Sequence, residues 1–251
     1  MGIRSIVLLG SFAVMSSCSM FAQATPAAVP PTGSNAEGKA AIERLTQAFG
    51  GSAKVNAVKT MSQSVTVTGQ GQDIKIEQLI VYPDKQAQII TTPQGVVREV
   101  VTPTVAFVVM GSQLQDLPAT PRSSAEAALK VDFINVLQHV SDPKYTFIAT
   151  GKEKLGDVEA TVVEVNADGA QTRWWIGADG KLLQEESSIL GQAGPTIQRL
   201  KYSDWKAFGG LQYPAKFEIF DATGKPRAVL NLITMEVNGT LDPKVFEKPQ
   251  Q

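Results

Sequence analysis

The feature that most constrains this chain of 251 residues is a repeat of short extended runs separated by turn residues. Apolar and polar side chains alternate along the runs, as at Val65 and Val67, and alternate side chains of a strand face opposite ways. Pairs such as Asp168-Gly169 favour tight hairpins, since glycine adopts positive φ freely. Parallel neighbours need crossovers of about a dozen residues. The short gaps therefore predict an antiparallel meander.

The extended runs form two groups on either side of one long helical segment, and no break between independent cores is visible. We predict a mainly β (α+β) fold over residues 34–251: a single unclosed antiparallel β-barrel, or a strongly curved sheet of about 11–12 strands, with helices acting as a lid or plug. Curling such a sheet reduces its exposed edges. The expected strands are 64–68, 73–82, 86–92, 96–102, 105–110, 145–151, 158–166, 171–177, 182–190, 196–205, 213–224 and 228–239.

Two helical segments interrupt the strands. The first is predicted to start with a capping box formed by Ser34 and Glu37 and to end at Gly50-Gly51, with a short helical turn after it. The second is predicted as one helix, Ser123–Val140, with another capping box at its start. Its apolar stripe is wider than a solvated helix would tolerate, so we expect it to cover the sheet.

The N-terminus carries the pattern of a secretory signal. A basic start, a short apolar segment and a small-x-small site predict a signal peptide over residues 1–24, cleaved between Ala24 and Thr25. A Pro-rich linker, residues 25–33, follows it. Cys18, the single cysteine, lies in a near-match to a lipidation site. The protein is therefore expected to be secreted to the periplasm, with a membrane-anchored lipoprotein attached through Cys18 as the alternative.

Residues that could carry a reaction are scarce. His139, the single histidine, is expected to interact with a helix C-terminus, and no cysteine or second histidine could complete a metal site. Glu185 and Glu186 point to opposite faces of a strand, so we expect a solvated strand face there rather than a catalytic pair. The net charge of −1 provides no basic patch for nucleic acid. We predict no catalytic residue, no metal and no cofactor.

The apolar surface is what remains to carry a function. Neighbouring tryptophans on one strand, Trp174 and Trp175, must point to opposite faces. An inward tryptophan could line a pocket, although ordinary core packing is the better explanation. If the long helix lies over a hollow sheet face, an apolar ligand could bind between them. The expected lining residues are Leu129, Phe133, Val136, Leu137, Val65, Val67 and Trp174.

Several short motifs follow the strands. They are Tyr82-Pro83-Asp84-Lys85, Tyr202-Ser203-Asp204-Trp205, Gly209-Gly210-Leu211-x-Tyr213-Pro214 and the terminal Val237-Asn238-Gly239-x-Leu241-Asp242-x-x-Val245-Phe246-x-x-Pro249. Together with the order of elements over residues 34–249, they resemble the bacterial lipoprotein-carrier superfamily (LolA/LolB-like, including outer-membrane lipoprotein-sorting proteins). The resemblance implies an unclosed antiparallel barrel whose lid helices cover a hydrophobic cavity for acyl chains.

We therefore expect a monomeric periplasmic carrier or binding module for acyl chains of lipoproteins or related lipids, with envelope membrane proteins as further partners. An envelope structural or protein-interaction and sensor module, with a filled core and no ligand, is the alternative. A hydrolase with an unrecognised site is a third reading. Whether the sheet face is hollow beneath residues 123–140 distinguishes the first two.

Overall fold

The computed structural model describes residues 33–68, 74–191 and 194–249. The helices are α1 (Ala36–Phe49), α2 (Ser52–Asn56), α3 (Ala119–Lys130) and α4 (Phe133–Gln138), with a 3₁₀ turn at Pro243–Phe246. The strands are β1 (Thr60–Thr68), β2 (Ile74–Val81), β3 (Lys85–Thr92), β4 (Gly95–Val101), β5 (Ala106–Met110), β6 (Gln113–Asp116), β7 (Tyr145–Leu155), β8 (Val158–Ala167), β9 (Ala170–Gly177), β10 (Leu182–Gly191), β11 (Gly194–Phe208), β12 (Leu211–Asp221) and β13 (Pro226–Val237).

The described strands form one antiparallel sheet of 13 members. In the sheet, β1 lies at the centre and β2 to β6 follow in order to one edge. Strand β7 forms the other edge, and β8 to β13 follow in order back to the centre, where β13 pairs with β1. In that central pair Met61 lies opposite Val237. The two edges, β6 and β7, do not pair with each other among the described strands. The predicted unclosed antiparallel sheet is confirmed, with the C-terminal strands at its centre.

The strand that the sequence did not predict is β6. Its four residues, Gln-Leu-Gln-Asp, include one apolar side chain, so they carry no alternation of the usual length. Pairing with β5 forms the strand, and Leu114 lies opposite Val109. Tertiary pairing, rather than local pattern, therefore defines this edge.

Helices α3 and α4 connect the two edges of the sheet, since they lie between β6 and β7 in the chain. We call residues 119–138 the lid. The single helix predicted for Ser123–Val140 is wrong, because Asp132 interrupts it: its Oδ1 accepts hydrogen bonds from the N–H groups of Ile134 (3.0 Å) and Asn135 (3.3 Å) and so starts α4. The predicted capping box is also wrong, since Ser123 lies inside α3 and donates to the Thr120 carbonyl.

Helix α1 begins one residue later than predicted. Asn35, not Ser34, is its N-cap, and the Asn35 Oδ1 accepts from the N–H of Gly38 at 2.8 Å. Ser34 instead accepts from the N–H of Phe147 on β7, so pairing with the edge strand draws it away from the helix. A Cβ on Gly38 would lie 2.2 Å from the Phe147 carbonyl oxygen, so only glycine permits this close approach of α1 to β7.

The sheet has two faces with different cores. The inner face, which the lid covers, holds the main apolar cluster together with α1, and Trp174 lies in it. Trp175 lies on the other side with Ala160 and Val162, as the alternation predicts. We call a second cluster of the other side, beneath the 3₁₀ turn, the outer patch. Its buried members are Ala87, Val100, Phe107 and Phe246.

The predicted signal peptide, its cleavage site Ala24-Thr25, Cys18 and residues 25–32 of the linker lie outside the described residues. Within the described part of the chain, no helix has the length and apolar character needed to cross a membrane.

Candidate functional site

The lid inserts one aromatic ring into the inner face. Phe133, the first residue of α4, packs its ring against those of Tyr202 (5.1 Å between centroids), Trp174 (5.8 Å) and Phe49 (6.0 Å). These are edge-on contacts, the arrangement that aromatic quadrupoles favour. Phe133 therefore joins the lid to the β7–β13 half of the sheet and to α1.

Polar contacts hold the lid at its margins. The Gln138 Nε2 donates to the carbonyls of Val55 (2.9 Å) and Val58 (2.7 Å) near α2. At the other end of the lid, the Lys130 Nζ lies 2.8 Å from the Asp168 Oδ2, and both side chains are about 40% exposed to solvent. Exposed ion pairs contribute little stability. The ion pair at this margin consequently adds little to the attachment of the lid.

A small cavity of about 70 Å³ remains between the lid and the sheet. Its lining combines apolar side chains with amides, carboxyls and phenols, so it is not the uniformly apolar hollow that the resemblance implies. The lining residues are Gln63, Gln78, Ile80, Gln86, Ala128, Leu129, Val131, Asp132, Phe133, Glu185, Leu200, Tyr202, Tyr213, Phe217 and Leu230.

Asp132 brings one carboxyl to the cavity. Besides capping α4, its Oδ1 accepts a hydrogen bond from the hydroxyl of Tyr82 at 2.8 Å. Burial raises the pKa of the Asp132 carboxyl, while the hydrogen bonds from Tyr82 and from the backbone at Asn135 and Ile134 act in the opposite direction. Burial also raises the pKa of Tyr82 well above its usual range.

Glu185 brings the second carboxyl, from β10. It is 5% exposed, which corrects the expected solvated strand face: its neighbour Glu186 pairs with Arg199, whereas Glu185 turns inward. The hydroxyl of Tyr202 donates to the Glu185 Oε2 at 2.7 Å, and that of Thr172 to the Oε1 at 3.1 Å. Burial raises the pKa of the Glu185 carboxyl, against the effect of these two hydrogen bonds.

The predicted lining residues fall into two sets. Leu129 and Phe133 line the cavity. The other five belong to the same buried cluster but are not among its lining residues: Val65, Val67, Val136, Leu137 and Trp174. Their ligand-binding role stays a prediction.

The polar lining is what the sequence reasoning missed, although a signal for it exists. On β1, Gln63 occupies a position of the buried alternation between Met61 and Val65. On β2, Gln78 likewise stands between Ile76 and Ile80. An amide at a position that the pattern reserves for apolar residues indicates a polar feature beneath the lid.

The short motifs supply the phenols of this region. Tyr82 contacts the Asp132 carboxyl. Tyr202 contacts Glu185. Tyr213 lies in the cavity lining. Three of the four motifs therefore do more than mark turns, because each of these three places a tyrosine at or beside the cavity.

His139 follows α4 and lies outside the cavity lining. Its Nδ1 is 2.7 Å from the Asn135 carbonyl oxygen, and its ring stacks on that of Tyr145. These contacts agree with the expected structural role at a helix C-terminus. Among the described residues, no group of three or more histidine, cysteine, aspartate or glutamate side chains could hold a metal ion.

An open antiparallel sheet whose edges are bridged by a helical lid defines a class of fold, that of the LolA superfamily. The chain has this fold. It matches a LolA superfamily protein from Nitrosomonas europaea at 14% identity, over 84% of this chain and 97% of that one, with a TM-score of 0.54.

Two further solved structures share the fold. A domain assigned to outer membrane lipoprotein sorting, from Vibrio parahaemolyticus, matches at 12% identity over 84% of this chain and 96% of that one (TM-score 0.52). A DUF1329 family protein from Desulfovibrio piger matches at 12% identity over 84% and 97% (TM-score 0.53). No protein-family model matches the sequence, and no curated protein does. At these identities the likeness extends to the fold alone.

Proposed function

We propose that the protein is a periplasmic carrier or binding module for acyl chains of lipoproteins or related lipids, without enzymatic activity. The observation that supports this proposal is the kind of structure that covers the inner face. A large apolar surface of an open sheet is covered by helices, α1 and the two short helices of the lid, and not by a second sheet. Moving such a lid would expose a concave apolar surface of the kind that acyl chains occupy.

Binding requires the lid to move. Ligand pockets measure about 300–1,000 Å³, and the cavity under the closed lid is about 70 Å³. Phe133 fills the space in which an acyl chain would lie, so the chain must displace this ring. In the described arrangement the lid of the proposed carrier is accordingly closed.

The small cavity also favours the alternative function. An envelope structural or protein-interaction and sensor module would keep its core filled by its own side chains. That alternative predicts a lid that stays closed and a protein that takes up no lipid.

The proposed location is the periplasm, reached through cleavage between Ala24 and Thr25, with anchoring through a lipidated Cys18 as the alternative. The proposed protein is a monomer, and its partners are acyl chains and envelope membrane proteins. Intact mass of the protein expressed with its own N-terminus distinguishes cleavage from lipidation.

The experiment on function has two parts. Mass spectrometry of lipids extracted from the purified protein identifies what it carries, and titration with a fluorescent acyl-chain probe measures uptake. Gln138→Ala removes the two hydrogen bonds that anchor the end of the lid to the α2 region. We expect this variant to bind the probe more tightly, since a larger open population raises the apparent affinity. Gln212→Ala, at an exposed strand position, is the matched control.

Probe binding that strengthens in Gln138→Ala and stays unchanged in Gln212→Ala supports the carrier. No extracted lipid and no probe binding in any of the three proteins contradicts it and favours the filled structural module.

A further inference from the structure

A row of glutamines crosses the inner face beneath the lid. Gln63 on β1 pairs with Gln78 on β2, and Gln78 pairs with Gln88 on β3. Side chains at directly paired positions lie about 4.5–5.5 Å apart at Cβ. All three are buried, and Gln86, two residues before Gln88 on the same strand and face, joins them. The row thus forms a continuous strip of amides within an apolar core.

One of these amides lacks hydrogen-bond partners altogether. The Nε2 and Oε1 atoms of Gln88 are buried, the residue is 1% exposed, and neither atom has a hydrogen-bond partner. Gln63 directs its Nε2 towards the sulfur atoms of Met61 and Met235, which are weak acceptors, and its side chain is also hydrogen-bonded to that of Tyr213. An unpartnered buried amide costs about 1–3 kcal/mol. A residue that serves packing alone would be apolar at such a position.

Unpartnered polar atoms also lie beside Glu185, outside the cavity lining. The Trp174 Nε1 is buried without a partner, and Trp174 pairs across strands with Glu185. The Ser187 Oγ, two residues beyond Glu185 on the same face, is likewise buried without a partner. These unpartnered groups lie outside the cavity lining, next to the lining residues Gln78, Gln86 and Glu185.

The charged and uncharged groups around the cavity restrict which head groups can bind there. None of the described lining residues is a lysine, arginine or histidine, while Asp132 and Glu185 contribute two carboxyls. A buried anion without a cation is strongly unfavourable. Amides, carboxyls and phenols together can donate to and accept from hydroxyl, ester and amide groups.

We propose that this cavity receives the polar end of the ligand, and that it selects an uncharged hydrogen-bonding head group, such as a glycerol ester or an amide, on an acyl chain. The proposal rests on the proposed function, because the acyl chain must lie under the opened lid. The glutamine row and the acid–tyrosine pairs then form a recognition site at one end of an otherwise apolar trough.

The test compares three ligands that have chains of the same length but different head groups: monopalmitoylglycerol, palmitate and hexadecylamine. Each competes with a fluorescent acyl probe on the full-length protein near neutral pH. We expect the glycerol ester to displace the probe at a concentration about tenfold lower than palmitate or the amine, since tenfold corresponds to about one well-made hydrogen bond. This measurement on the wild type requires no variant to fold.

Two variants locate the selectivity. Gln78→Leu and Gln86→Leu each remove an amide from the cavity lining, and we expect each to reduce the tenfold preference towards equality. Gln212→Leu is the exposed control and should retain the preference. Thermal unfolding checks that each variant is folded.

The outcomes separate the two proposals. Equal displacement by all three ligands, or tighter binding of palmitate or the amine, overturns the head-group site and leaves acyl binding intact. Preserved preference in both glutamine variants overturns the assignment to the row. Absence of probe binding in the wild type overturns the proposed function and this inference with it.

Discussion

The inner face beneath the lid and the outer patch beneath the 3₁₀ turn are built on the same strands but differ in polarity. On β3, Gln88 faces inward and its neighbour Ala87 faces outward. The outer patch is apolar, and Arg98 closes it by lying over Phe107 and donating to the carbonyls of Val245 and Glu247. The inner face keeps amides and carboxyls in its core at a cost in stability.

The difference indicates what each region is for. An apolar patch sealed by the chain's own C-terminus is explained by folding alone. A core that retains unpartnered polar atoms is not, because apolar replacements would be more stable. We therefore infer that the proposed function, rather than folding, accounts for the polar residues of the inner face.

The largest expected effect compares Phe133→Ala with Phe107→Ala. Each removes a buried ring and should lower the free energy of unfolding by about 3–5 kcal/mol, measured by urea denaturation. Only Phe133→Ala vacates space under the lid, so it alone should increase binding of the acyl probe. Equal probe binding in the two variants would remove the functional distinction between the regions.

Substitutions at two neighbouring residues of β3 are expected to change the free energy of unfolding by smaller amounts and in opposite directions. Gln88→Leu removes an unpartnered amide and should raise the free energy of unfolding by about 1–3 kcal/mol. Ala87→Ser buries a hydroxyl in the outer patch and should lower it by about 1–3 kcal/mol. Chemical denaturation measures both. A loss of stability in Gln88→Leu would mean that the amide serves the fold.

Replacing the two aspartates that cap helical turns, Asp132 and Asp242, should give losses of stability that differ by less than the effects on β3. Asp132→Ala removes the α4 cap and the acceptor of the Tyr82 hydroxyl, so a loss of about 2 kcal/mol is expected. Asp242→Ala removes the cap of the 3₁₀ turn over the outer patch, where its Oδ1 accepts from the Lys244 N–H, and about 0.5 kcal/mol is expected. Thermal unfolding of both variants measures the difference, and equal losses contradict it.

The smallest effect is a change in pH dependence. Burial raises the pKa of Glu185 above its ordinary value of 4.5, so the folded protein holds this proton more tightly than the unfolded chain. The resulting stabilisation is fully present below the ordinary pKa and is lost as pH rises through the raised one. The unfolding free energy of the wild type should therefore fall relative to that of Glu185→Gln as pH rises.

Asp221, in the exposed β12–β13 hairpin, is the control of opposite sign. Hydrogen bonds, first from the Thr223 hydroxyl and then from the backbone at Lys225, lower its pKa to about 2. The wild type should lose stability relative to Asp221→Asn as pH falls towards that value. Unfolding free energies across the acidic and neutral range measure both differences. If the two stability differences changed with pH in the same direction, the environments assigned to Glu185 and Asp221 would be contradicted.

The sequence by itself determined the local structure. Period-two alternation and glycine-containing turns predicted the antiparallel strands, and the wide apolar stripe of residues 123–140 predicted a segment that covers the sheet. Motif residues Tyr82, Tyr202 and Tyr213 were visible, but only as neighbours of turns. Alternation also separated Trp174 from Trp175 correctly.

Only the tertiary structure decided how these pieces meet. Pairing of β13 with β1 placed the C-terminal strands at the centre and left β6 and β7 as the edges that the lid connects. Asp132 divides the predicted helix because Tyr82, some fifty residues earlier, holds its carboxyl. Glu185 is buried because Tyr202 and Thr172 face it from adjacent strands. Periodicity reports which face a residue occupies, whereas cross-strand register decides what it meets there.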